Sequence, residues 1–358
     1  MKSTYIVAKR YIVLYNIKVI ALNRNDYYLG IGVITRMNKK LLPALFLLII
    51  LMLTACSNEE PGNEENNKDQ VSIFTTVYPL QYFAERIGGD AVDVQSIYPP
   101  GADEHTFDPT QKDMMALADS DLFFYIGLGL EGFVDNALNT MKNEHVKMIA
   151  TSEEITEDML TEGHDHDDEH GEEGHGEEDH DHAAIDPHVW ISPVLSDALA
   201  YSIKEALIEA APDKKADFEK NFEALRDDLI ILDRQFIDMA SNAPTKTFFV
   251  SHASFGYIAD TYGLKQVAIA GLNSQSEPSQ KQLTSIVEEA EKNDVKYILF
   301  EQNVSSKLTD IIRKEIGADS LMLHNLGILT TEDIDNNEDY FSLMEYNIQT
   351  LEQALSGK

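Results

Sequence analysis

One stripe of side chains sets the scale of this protein. Phe218, Phe222, Leu225, Leu229, Leu232, Phe236 and Met239 recur at spacings of 4, 3, 4, 3, 4 and 3 residues. Only an α-helix places such positions on one face, because i, i+3 and i+4 lie on the same side of a 3.6-residue turn. Asp213–Ala240 therefore predicts one helix of about 42 Å, at 1.5 Å per residue. That is long enough to run across two lobes, and a continuous helix is a stiff connector rather than a flexible hinge. Ser192-Pro193 opens the helical region before it, where Leu195, Leu199, Ile203 and Leu207 form a second stripe ending at Pro212.

The flanks of this region alternate short β-branched or aromatic runs with helical patterns. On the N-terminal side the predicted strands are Ile73–Val77, Val92–Tyr98, Leu122–Ile126 and Val146–Ile149. The intervening helices end at Gly88-Gly89, run from an N-cap at Asp108 with Pro109 at the first helical position, and span Phe133–Met141. On the C-terminal side the strands are Thr247–Val250, Gln266–Ile269, Val295–Phe300 and Ser320–Leu323. The helices there lie near Phe255–Tyr262, Ser279–Lys292, Ser306–Ile316 and Tyr340–Leu355. A βα alternation predicts a parallel sheet covered by helices. The expected fold is α/β, with two βα lobes joined by one long rigid helix. The N-terminal lobe is 71–192, the linking helices 193–242 and the C-terminal lobe 243–358. No close sequence repeat relates the lobes.

Upstream, Met37-Asn38-Lys39-Lys40 and the apolar run Leu41–Ala55 form a cationic and then a hydrophobic segment, too short for the ~20 residues of a membrane span. They end at Leu53-Thr54-Ala55-Cys56, which resembles a bacterial lipobox with Cys56 as the lipidated first residue of the mature chain. Residues 37–55 are thus expected to be a signal peptide, 56–70 a polar tether, and 1–36 an extension ahead of the true start at Met37. From Cys56 onward there are 20 basic and 61 acidic residues, a net charge of −41. Such a field repels nucleic acid and anionic membrane and attracts cations. Cys56 is the single cysteine, so a zinc site here would use His and carboxylates.

Between the lobe's strands and its closing motif runs Glu162–His182, EGHDHDDEHGEEGHGEEDHDH, six of whose residues are histidine: His164, His166, His170, His175, His180 and His182. It has no apolar residue to bury. Imidazole and carboxylate ligate Zn²⁺, so the loop 162–184 reads as a low-affinity collector that raises local metal concentration beside a tighter site.

Five histidines lie outside that loop. His105 follows the strand Val92–Tyr98, His252 ends the strand Thr247–Val250, and Glu301 ends Val295–Phe300. Ligands of open α/β sheets bind beyond the carboxyl ends of strands. His188 completes a set of three imidazoles and one carboxylate, which suits tetrahedral Zn²⁺. Glu104 is an alternative carboxylate, so the fourth ligand is open between Glu301, Glu104 and water. His145 and His324 are expected to be ordinary surface or packing residues, and Tyr78 and Tyr98 to be packing.

Four phrases, GADEHTFDPT, DPHVW, SHASFGYIADTYG and LFEQNVSSK, resemble in order the metal-binding motifs of the cluster A-I solute-binding proteins of bacterial ABC importers. The His-rich loop before DPHVW resembles that of the zinc-uptake branch, and the resemblance covers Val71 to Leu355. It implies metal ligands His105, His188, His252 and Glu301, a site in the cleft between lobes, and no catalysis. The implied function is capture of Zn²⁺ and delivery to a membrane permease driven by its ATPase, from the extracytoplasmic face where the acylated Cys56 anchors the protein. The manganese branch typically has Glu third and Asp fourth. His252 and Glu301 stand there here, and nitrogen-rich coordination favours Zn²⁺ over Mn²⁺. A disulfide found in some members is not expected, nor is the additional C-terminal zinc domain of some lipoprotein relatives. The alternatives are a manganese or broad divalent-metal receptor or adhesin of the same fold, and a zinc hydrolase with Glu301 as general base, although no HExxH pattern occurs.

Overall fold

The computed structural model describes residues 70–161, 185–273, 278–302 and 307–357. The expected extension, signal peptide, lipidated Cys56, tether up to residue 69 and His-rich loop 162–184 lie outside these residues. Lys68–Lys358 forms one compact unit.

The unit holds two four-stranded sheets, both wholly parallel. The first contains β1 (Val71–Thr75), β2 (Val92–Ser96), β3 (Leu122–Tyr125) and β4 (Lys147–Ala150) in the order β2-β1-β3-β4. The second contains β5 (Thr247–His252), β6 (Lys265–Ala270), β7 (Tyr297–Phe300) and β8 (Asp319–Met322) in the order β6-β5-β7-β8. The strand order is the same in both, so the topology repeats where the sequence does not.

The helices of the first lobe are α1 (Tyr78–Gly88), α2 (Gln111–Ala118) and α3 (Val134–Thr140). Then come α4 (Pro193–Ala210) and the long α5 (Lys215–Asn242). The second lobe adds α6 (Gly256–Tyr262), α7 (Gln280–Lys292), α8 (Lys307–Glu315), a short α9 (Thr331–Asn336) absent from the sequence expectation, and α10 (Tyr340–Ala354). One start differs from expectation. Asp108 is not the cap of α2; Thr110 is, because its hydroxyl accepts from Asp113 N while the Asp113 carboxylate accepts from Thr110 N. That reciprocal pair satisfies two orphan donors, which Pro109 could not do.

All seven stripe residues of α5 are buried. Each large apolar side chain withdrawn from water contributes about 1.5–3 kcal/mol, so α5 is held along its whole length. Its first half serves the first lobe, where Asn221 Nδ2 donates to Ile87 O at 3.0 Å, and packs on α4, where Phe222 meets Tyr201. Its second half serves the second: Phe236 stacks on Tyr262 at 5.2 Å, and the Tyr262 hydroxyl donates to Asp233 at 2.9 Å. A second tie crosses the same way. Tyr340, fully buried at the start of α10, packs edge-on against Phe83 of α1 and donates to Trp190 O at 3.1 Å. One continuous apolar core therefore spans both lobes, with Phe248 and Val250 of β5 facing it. Phe249, on the opposite face of the same strand, enters a smaller cluster with Ile286 and Ile312 under α7 and α8.

Candidate metal centre

The parallel registers bring distant residues together. In the second sheet β5 pairs with β7, Val250 opposite Leu299. Two residues further on, that register sets His252 beside Glu301 at the carboxyl ends of the strands. The two strands flank the point where successive connections leave in opposite directions, the usual crevice of an open sheet. Both side chains are buried, and Glu301 Oε2 lies 3.0 Å from His252 Nδ1. The carboxylate also accepts from Ser251 Oγ (3.1 Å) and Ser254 Oγ (2.9 Å). Burial disfavours charge on both groups, but their mutual attraction outweighs it, holding the Glu301 carboxyl below and the His252 imidazole above their ordinary ranges.

His188 is set by its own motif. Asp186 Oδ1 accepts from His188 N at 2.9 Å and from the ring Nδ1 at 2.7 Å. With Nδ1 carrying the proton, the Nε2 lone pair is left free for a cation, the usual partnership of carboxylate, imidazole and metal. Asp186 is itself anchored through its carbonyl, which accepts from Tyr257 hydroxyl at 2.8 Å. Gly256 is needed for this seat, since a Cβ there would stand 2.7 Å from Asp186 Oδ2. His105 arrives from the loop after β2, where Asp103 Oδ1 accepts from the backbone of His105 (2.9 Å) and Thr106 (3.2 Å).

The three imidazoles converge. His188 Nε2 and His105 Nε2 are 3.2 Å apart, and one ligating atom from each of His105, His188 and His252 lies within 4.8 Å of the others. Among the described residues this is the one group of three or more such side chains placed to hold an ion. Burial, then the neighbouring imidazoles, push His105 down to about 3, so it is neutral and ready to ligate. Both ring nitrogens of His252 are engaged, Nε2 with Leu272 O at 2.9 Å. Loading an ion onto His252 therefore costs one of those contacts.

Glu301 does not join the three-imidazole group but stands against its edge, behind His252. Glu104 is buried close by, its carboxyl pushed up by burial, and accepts from Asn325 Nδ2 at 3.0 Å. His145 pairs with Asp121 at 2.8 Å, far from this cluster. That pair lines a cleft of about 470 Å³ at the amino ends of the first sheet's strands, where Lys147 also pairs with Glu209. His324 packs edge-on against Tyr346. Tyr78 and Tyr98 are structural: Tyr78 N donates to Gly327 O, and the buried Tyr98 hydroxyl to Glu104 O. Sequence reasoning missed Asp186 and Asn325 as site residues. Asp186 had a signal, an acid two positions before a candidate ligand; Asn325 had none.

With the geometry in hand, the relatives are informative. The chain is 38% identical over 320 residues to the zinc-binding lipoprotein AdcA of Streptococcus pneumoniae, covering 88% of this chain and 61% of that protein. It thus spans about three-fifths of that relative's length. It is 37% identical over 309 residues to the high-affinity zinc uptake system protein ZnuA of Bacillus subtilis, covering 86% of this chain and 95% of that one. Among solved structures it resembles the Zn(II)-bound ZnuA-like domain of S. pneumoniae AdcA, with TM-score 0.65, 34% identity and coverage of 80% and 99% of the two chains. It also resembles the laminin-binding protein Lmb of Streptococcus agalactiae, described as having adhesin and metal-transporting activity, with TM-score 0.69, 28% identity and coverage of 80% and 100%. Residues 73–354 match the family described as the periplasmic zinc-uptake complex component A, ZnuA, and the chain belongs to that family.

Proposed function

We propose that this protein is an extracytoplasmic receptor that captures Zn²⁺ in the cleft between its lobes and hands it to an ABC-type permease driven by its ATPase. The observation that carries this reading is the convergence of His105, His188 and His252 from three separate segments, one of them with its tautomer set by a buried carboxylate. Glu301, which stands against the edge of that group with its Oε2 3.0 Å from His252 Nδ1, is the fourth ligand in this reading once that contact is given up to the ion. Three nitrogens and one oxygen form a tetrahedral set that suits Zn²⁺ and disfavours Mn²⁺. The assignment of zinc draws on the zinc-named relatives in S. pneumoniae and B. subtilis. In this reading binding and release are the whole reaction, the three imidazoles and Glu301 being used to hold the ion.

The surroundings follow from the sequence. Residues 37–55 act as a lipoprotein signal, acylated Cys56 holds the protein on the outer face of the membrane, and 56–70 tethers lobes 71–192 and 243–358, which flank the linking helices 193–242. His164, His166, His170, His175, His180 and His182 collect metal at low affinity.

Chelator-competition titration of the full chain, intact and with residues 163–182 deleted, tests this. The expected result is one tight Zn²⁺ per chain in both, with extra weak sites in the intact chain only and no displacement of the tight ion by Mn²⁺. Tight binding that disappears with the loop would overturn the cleft assignment. Displacement by Mn²⁺ would favour a broad divalent-metal receptor.

A further inference from the structure

We propose that Asn325 is a positioning residue that sets the metal selectivity of this centre, by tying Glu104 back so that the ion meets one buried carboxylate rather than two. The inference rests on the reading of His105, His188 and His252 as the zinc site.

Two carboxylates from different lobes end beside the three imidazoles, and both are almost fully buried. A single amide nitrogen joins them. Asn325 Nδ2 donates to Glu104 Oε1 at 3.0 Å and to Glu301 Oε2 at 3.2 Å. A side-chain amide has two N–H protons, so each carboxylate takes one. The amide cannot turn over, because its Oδ1 accepts the Gly327 backbone N–H at 3.0 Å. Reversed, it would aim an oxygen at two carboxylates and an NH₂ at an N–H donor, so the surrounding donors and acceptors fix its orientation. The loop that carries it is fastened as well. Asn325 O accepts from Trp190 Nε1 at 2.6 Å, and Gly327 O accepts from Tyr78 N at 2.8 Å. Leu326 between them sits at φ +59°, a left-handed backbone state that a non-glycine residue keeps only where the surroundings impose it.

Glu104 is seated in a fitted place. A Cβ at Gly327 would lie 2.8 Å from Glu104 Oε1, so the bare glycine backbone makes the room that the carboxylate occupies. It is nonetheless near enough to the imidazoles of His188 and His252 for them to act on its carboxyl. Glu104 directly precedes His105 in the chain, so once untied it is the carboxylate best placed to add oxygen to the ion. An added carboxylate converts a four-coordinate, nitrogen-rich site into a higher-coordinate, oxygen-richer one, which suits Mn²⁺ better than Zn²⁺. Asn325 thus keeps the coordination number low.

The test measures the ratio of Mn²⁺ to Zn²⁺ dissociation constants by competition titration of the full chain, together with the visible spectrum of its Co²⁺ form, intense for four-coordinate and weak for five- or six-coordinate ions. Asn325→Leu removes the donor and is expected to lower the ratio at least tenfold and weaken the Co²⁺ bands. Adding Glu104→Gln to Asn325→Leu is expected to restore both. Asn325→Asp, nearly the same size, replaces the donor with an acceptor and is expected to act in the same direction, which keeps the question open to test if the leucine variant does not fold. An unchanged ratio and spectrum in both Asn325 variants would overturn the proposal. So would equal loss of affinity for both metals with no recovery on adding Glu104→Gln. A wild-type chain without a tight four-coordinate site would instead overturn the zinc reading itself.

Discussion

The two lobes have the same strand order, and each places a buried glutamate at the crossover of its sheet, yet the two glutamates serve opposite ends. In the first lobe Glu131 sits at the carboxyl ends of β1 and β3. Its Oε1 accepts from Thr76 Oγ1 (2.8 Å) and Ile126 N (2.7 Å), and its Oε2 from Gly127 N (3.1 Å). In the second lobe Glu301 sits at the equivalent ends of β5 and β7 and pairs with an imidazole, His252. Burial alone pushes Glu131 up to about 7 against three hydrogen bonds, whereas His252 overcomes burial and holds Glu301 ionised. The crevice of an open sheet is a place to put a carboxylate; what stands opposite decides whether burial or an imidazole sets its charge.

The sharpest way to break this comparison is to remove the imidazole. His252→Ala is expected to weaken Zn²⁺ binding by about 10³-fold, some 4 kcal/mol, while Glu131→Gln leaves it within a few-fold, both by chelator competition. Equal losses would mean that the first crossover also serves the ion.

A smaller effect concerns stability against pH. The folded-state value of Glu131, about 7, lies above its ordinary one near 4.5. Its stabilising contribution is therefore fully present below about pH 4.5 and is lost as pH rises through 7. Relative to Glu131→Gln, the metal-free wild type should lose about 3 kcal/mol between pH 4.5 and 8, read from urea denaturation at each pH. Parallel pH profiles for the two proteins would show that Glu131 carries its charge at no cost.

Smaller again is the effect of loosening a ligand's support. Asp186→Asn keeps an oxygen beside His188 but removes the charge that fixes its tautomer. Zn²⁺ affinity should fall 10- to 100-fold, as for other partners of metal-bound imidazole, with little change in melting temperature. A loss as large as that of His252→Ala would make Asp186 a ligand rather than a support.

Much of this was legible in the chain. The stripe Phe218–Met239 specified a helix of the right length, displaced by two residues, because a 3.6-residue period has no other solution. His105, His188 and His252 stood out as candidates because each stands where a strand or motif ends, and the structure brings the three together. Asp108 was misread as a helix cap because Pro109 after it is a strong local cue, and the competing Thr110–Asp113 pair is visible only as a reciprocal contact.

By itself the sequence determined periodicity, charge, and the residue types able to ligate a metal, because those are local properties of the chain. Only the tertiary structure decided that Glu301 stands behind His252, that Asp186 holds His188, and that one amide from a loop 221 residues away ties Glu104. Such contacts depend on strand register and on a core shared by both lobes. Angstrom-scale placement of buried polar groups follows from packing across long sequence separations, which no local pattern records.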